Sequence, residues 1–101
     1  MNVQIQSVHF DADDKLLRFV REKLEKLPHF HDRIIGVDVY LKLDNVVHTI
    51  KDKVAEIKVH VPRHAYFVKQ QSKTFEESFA GAFDSMVNQL KRQKERLTAV
   101  H

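Results

Sequence analysis

Histidines and clustered aspartates are the side chains here whose types admit chemistry. His29 and His31 in HFH, with His48, His60 and His64, offer imidazoles to a metal ion. None stands in an HExxH pattern, and no cysteine or carboxylate completes a recognisable ligand spacing. They read as loop and exposed-face histidines sharing a positive, titratable role with nearby Lys and Arg. Asp11, Asp13 and Asp14 of DADD offer paired carboxylates, but aspartates ahead of a helix cap its first turn and favour its positive pole. Gly36 and Gly81 are the only glycines, so no phosphate-cradling loop exists, and no GxSxG or other nucleophile setting is present. This inventory implies no catalytic site, no metal and no cofactor, and it leaves binding as the function class.

The net charge of +3 gains meaning when it is located. Residues 1–50 hold 7 Lys/Arg against 8 Asp/Glu, whereas residues 51–101 hold 10 against 6. Residues 89–101 alone carry 4 cations against 1 acid, and residues 15–27 carry 5 against 2. Segregated positive charge on a small domain points to an anionic partner, nucleic acid or a membrane surface. No apolar run approaches the roughly 20 residues of a membrane span. MNVQIQSVHF also lacks the basic flank and apolar stretch of an export signal, so a soluble, unexported protein is expected. The lack of cysteine suits a reducing cytosol.

These side chains need elements to position them. VQIQSV (residues 3–8) alternates as a half-buried strand. DADDKLLRFVREKLEKLP then takes helical spacing, with Asp13 as N-cap, Leu16, Leu17, Val20, Leu24 and Leu27 on one face, and Pro28 as the stop. GVDVYLKL (36–43) and VAEIKVHV (54–61) each send apolar residues to one side only. DNVVHTIKD (44–52) reads as a long hairpin connection, and AYFVKQQ (65–71) as a shorter fourth strand. Thr74 with Glu77 forms a capping-box pattern opening a second helix, whose stripe is Phe75, Phe79, Phe83, Met86, Leu90 and Leu97. One domain over residues 1–101 is expected, an α+β fold in the order β-α-β-β-β-α, its four-stranded mixed sheet carrying both helices on one face.

Both basic segments then fall on helices. Lys15, Lys23 and Lys26 lie with Phe19 along one flank of the first apolar stripe, while Arg18 and Arg21 point further round towards Glu22 and Glu25. Lys91, Arg92, Lys94 and Arg96 spread over the solvent side of the second helix near its end. Dipole complementation accounts for part of this charge. Two such helices side by side make a surface for phosphate backbones, and without an RNP motif or GxxG loop the fitting target is a structured RNA.

Across its whole length the chain resembles the ribosome hibernation promoting factors and ribosome-associated translation inhibitors, also labelled sigma-factor modulation proteins. The resemblance rests on KLEKL closing the first helix, the VDVYLKL and AEIKVHV pair, and QLKRQKER closing the second. It implies a fold similar to a double-stranded-RNA-binding domain, in a cytoplasmic bacterial protein of stress or stationary phase. Such a protein would be monomeric off the ribosome. It would bind small-subunit rRNA and exclude mRNA and tRNA, with no membrane or small-molecule partner. Carried over, it nominates Lys23, Lys26, Arg92 and Arg96 with Lys91 and Lys94 beside them, and Lys15 and Arg18 widen the rRNA-binding set. Ser85 and Asn88 stand where the family is often basic, and Glu76 and Ala80 replace the Tyr and Asp of a common opening motif. The end at His101 resembles the short form, without a C-terminal dimerisation domain. The second reading is a free-standing double-stranded-RNA binder or RNA chaperone. The third is a protein-interaction module using a sheet face with Tyr40, His60 and Tyr66.

Overall fold

Strands β1 (Asn2–Val8), β2 (Gly36–Val47), β3 (Ile50–Val61) and β4 (His64–Ser72) form one sheet in the order β1-β2-β3-β4. Helix α1 (Asp14–Leu24) connects β1 to β2, and α2 (Phe75–Ala99) follows β4. The computed structural model describes the backbone of residues 1–47 and 50–99 and the side chains of residues 1–44 and 52–93. The β1–β2 pair is parallel and the other two pairs are antiparallel, so the sheet is mixed, as expected.

Alternation along the strands leaves one apolar face. Val37, Val39 and Leu41 of β2 and Ala55, Ile57, Val59 and Val61 of β3 join a single core with Leu16, Val20 and Leu24 of α1 and Phe79, Met86 and Leu90 of α2. Both helices therefore cover the same face. Edge strand β1 is the weakest contributor: Ile5 is half-buried and Val3 is 39% exposed.

Local chemistry sets the helix ends. The Asp13 carboxylate accepts the Leu16 N–H at 2.8 Å, the cap expected from DADD. The Thr74 hydroxyl accepts the Glu77 N–H at 3.1 Å, but the Glu77 carboxylate takes the Ser72 hydroxyl at 2.6 Å, so the expected box is half formed and ties α2 to β4.

Three expectations are corrected. Helix α1 stops at Leu24, and a 3₁₀ turn at Leu27–His29 takes over. Pro28 has no N–H to donate to the Leu24 carbonyl and its ring crowds that carbonyl, so the α ladder gives way to the tighter turn and Lys26 falls outside α1. Leu27 remains fully buried all the same. Residues 44–52 are largely ladder, since Asp44 pairs with Asp52 and Asn45 with Lys51, with a register shift before the Val47–Ile50 pair. His48 and Thr49 lie outside the described residues. Tyr66 lies opposite Val59 and is buried in the helix-covered core, while Phe67 is 52% exposed on the open face. The two-residue connection Pro62–Arg63 sets this phase. Arg63 takes φ 67° there, the positive value that a type II turn demands after proline. Leu97, expected in the core stripe, has its side chain outside the described set.

A β-carbon added at Gly81 would meet the nearest atom, Gln70 Cγ, at 3.7 Å, an ordinary contact. Gly81→Ala is therefore expected to raise stability by up to about 1 kcal/mol through helix propensity. Asp13→Ala should lower it by about 1 kcal/mol through loss of the cap. Urea denaturation followed by circular dichroism checks both.

Candidate nucleic-acid interface

Ring contacts fix how the helices run. Phe10, ahead of α1, stacks on Phe75 at the start of α2 with centroids 4.4 Å apart. Phe19 meets Phe79 edge-on at 6.2 Å. The Lys23 ammonium lies 5.4 Å from the Phe83 ring, and that of Lys91 lies 5.5 Å from Phe30. Residue numbers rise together on both sides of this seam, so α1 and α2 run side by side in the same direction. The end of α1 and the segment after it thus lie alongside the later turns of α2, which brings the two basic segments to one end of the molecule.

The expected cations take distinct positions. Lys23 is half-buried, its ammonium also 5.5 Å from the Phe19 ring, so it is held in the seam by two aromatic faces. Lys15, Arg18 and Lys26 are exposed on or just beyond α1, and Lys91 and Arg92 are exposed on α2. Arg92 Nε donates to the Asn88 carbonyl at 3.5 Å. Asn88 is exposed and Ser85 half-buried, one and two turns before Arg92. The α2 backbone carries Lys94 and Arg96, but their side chains lie outside the described residues.

Pairing distinguishes the two faces. On the open sheet face Lys42 Nζ meets the Glu56 carboxylate at 3.0 Å, and His60 Nε2 lies 2.8 Å from Asp38. Among the described residues, none of Lys15, Arg18, Lys23, Lys26, Lys91 and Arg92 has a carboxylate within ion-pair distance, and Arg18 forms no ion pair with Glu22 or Glu25. Cations without internal partners keep their donors for an external anion. Sequence reasoning missed Arg33, which lies with Phe30, His31 and His64 around a cleft at the basic end. It belongs to no helical charge run, and the proximity of two loops is not visible as a local pattern. Among the described residues no group of three His, Cys, Asp or Glu is placed to hold a metal ion. No helix among them is long and apolar enough to cross a membrane.

Residues 3–98 match the family described as Sigma 54 modulation protein / S30EA ribosomal protein. The chain belongs to this family. It is 27% identical over 97 residues to the ribosome hibernation promoting factor of Escherichia coli K12, spanning 96% of this chain and 97% of that one. The ribosome hibernation promoting factor of Salmonella typhimurium is 26% identical over the same shares. Among solved structures, the N-terminal domain of Thermus thermophilus Protein Y superposes with a TM-score of 0.78 at 25% identity, covering 91% of this chain and 98% of that domain. A ribosomal subunit interface protein from Coxiella burnetii shares the fold, with a TM-score of 0.82 at 16% identity over 94% of this chain and 99% of its own.

Burial also pushes the Tyr66 phenol above its ordinary value, because desolvation penalises the phenolate. Folded chains then keep a proton that unfolded chains have released. This contribution to stability is complete below the ordinary phenol value of about 10 and is lost as pH rises beyond it. In a Tyr40→Phe variant Tyr66 is the only tyrosine, since the chain has 2 Tyr. Its absorbance titration at 295 nm should have a midpoint above that of free tyrosine, and a midpoint at or below that value contradicts the buried placement.

Proposed function

We propose that this protein is a ribosome-bound translation inhibitor, laying its two-helix face on small-subunit rRNA and excluding mRNA and tRNA by occupancy. The observation that carries this reading is the parallel seating of α1 and α2. It brings Lys23 and Lys26 to the same end as Lys91 and Arg92, without carboxylate partners among the described residues. Relatives named ribosome hibernation promoting factor, aligned over nearly the full chain, support the ribosome as target. Lys15 and Arg18 widen the surface along α1, and Lys94 and Arg96 continue it along α2. The protein acts in the cytoplasm as a single domain, monomeric when not on the ribosome.

The mechanism is steric. Phosphate oxygens of folded rRNA accept from ammonium and guanidinium donors, and each neutralised phosphate releases counterions, so affinity falls steeply with salt. No bond is made or broken, and inhibition lasts as long as the site is filled. The stress and stationary-phase setting belongs to the same reading, because a reversible block suits ribosomes that must later resume work.

Sedimentation with purified small subunits tests the proposal. The protein should co-migrate at low salt and be released as salt rises. Reversing the exposed cations Lys15, Lys26, Lys91 and Arg92 to Glu should abolish co-migration while the thermal transition stays near the parent's. Lys23 is better changed to Gln in a separate variant, because it is packed between two rings. That single change should reduce the log–log salt slope by about 1. Failure of the parent to co-migrate at any salt concentration sinks the reading. Equally tight binding to naked duplex RNA would favour a free-standing RNA binder.

A further inference from the structure

The 3₁₀ turn is followed by a segment that faces the β3–β4 connection across a cleft of about 510 Å³. That volume lies inside the range of roughly 300–1,000 Å³ typical of small-ligand sites. Flat rings make much of its wall: Phe30 on one side, and on the other His64 and Tyr66, which meet edge to face with centroids 4.6 Å apart. Polar groups are interleaved, with Asp32 and Arg33 from the loop and Gln93 from α2. Among the described residues neither Asp32 nor Arg33 forms an ion pair, and the Tyr66 hydroxyl has no hydrogen-bond partner. The cleft thus offers a carboxylate, a guanidinium, an amide and a phenol around a ring-lined slot.

Its position matters as much as its lining. The Lys91 ammonium sits over the Phe30 ring at 5.5 Å, so one cation of the basic surface stands against one wall of the slot. A planar heterocycle entering between the rings would carry its attached phosphate towards that cation. Unstacked bases of structured RNA are recognised in this way, by stacking on aromatic or guanidinium planes and hydrogen bonding along their edges.

We propose that the cleft between Phe30–Arg33, the Pro62–Arg63 turn and Gln93 receives one unstacked base of the RNA held by the helical face. This rests on the RNA-binding reading and deepens it. The two helices grip phosphates without regard to sequence, and the cleft adds a contact that only a bulged or looped-out nucleotide satisfies. It makes the interface selective for RNA with an extruded base at a set distance from the phosphates held by α2. Arg33 and Asp32 then act as edge readers, and His64 with Phe30 as the stacking walls.

The test uses a labelled RNA hairpin with one bulged adenosine, the same hairpin fully paired, and AMP. Affinities are read by anisotropy. The bulged hairpin should bind on the order of tenfold tighter than the paired one, the lower range for one base–aromatic stack. It should also quench the tyrosine emission of the Tyr40→Phe protein, which retains Tyr66 alone and has no tryptophan. Gln93→Trp, which fills the slot, should bring the two hairpins to equal affinity. His64→Ala, at an exposed position with little demand on folding, should shrink the difference severalfold. Equal affinities for the parent protein, or a preference untouched by both variants, overturn the proposal. Quenching by AMP without any bulge preference overturns it in favour of a free nucleotide. Small-subunit sedimentation separates this inference from the wider one. A parent that sediments but shows no bulge preference loses the cleft and keeps the interface. A parent that prefers the bulge but never sediments keeps the cleft and loses the ribosome.

Discussion

Everything at the basic end depends on the aromatic seam between the two helices. Burial on one face of the sheet obliges α1 and α2 to share that face, but it does not say how they run. The stack of Phe10 on Phe75 and the edge contact of Phe19 with Phe79 register the two helices side by side and in the same direction. Phe79 is fully buried at the centre of this arrangement. The negative pole at the C-terminus of α1 is complemented by the lysines gathered beside it. Lys23 does so from within the seam, between Phe19 and Phe83. The contacts that orient the helices are thus the ones that concentrate the cations.

The two faces treat charge in opposite ways. On the sheet, cross-strand neighbours Tyr40 and Glu56 bring Lys42 within reach of a carboxylate, and His60 reaches Asp38. On the helices no ion pair forms among the described residues. Exposed pairs are worth little to stability, so their absence on the helical face costs the fold little while leaving a field that attracts anions. That asymmetry separates a solvated sheet surface from a contact surface, although both are rich in lysine.

The β3–β4 connection links the core to the cleft. Proline fixes φ for the first central residue, and Arg63 accepts a positive φ of 67° in the second, a conformation that costs a non-glycine residue about 1–2 kcal/mol. With only two residues between strands, the pairing of Val61 with His64 leaves no choice of phase for β4. Tyr66 enters the core and Phe67 the solvent as a result.

Periodicity by itself determined the element order, the one-sided core and the caps, because alternation and the 3.6-residue repeat act over short stretches of chain. Asp13, Thr74, the valines of β2 and the phenylalanines of α2 stand where those patterns put them. The patterns also placed Lys23, Lys26, Lys91 and Arg92 on or beside helices. Local pattern was insufficient where two periodic readings compete. AYFV is apolar on both phases, and only the short turn chose between Tyr66 and Phe67. The ladder extended through most of residues 44–52 because backbone pairing needs no apolar alternation and continues outward from the β2–β3 pairs already formed. The parallel course of the helices, the gathering of their cations and the cleft joining Arg33 to His64 and Gln93 were decided by tertiary structure alone. Each depends on contacts between segments far apart in the chain, which no local spacing encodes.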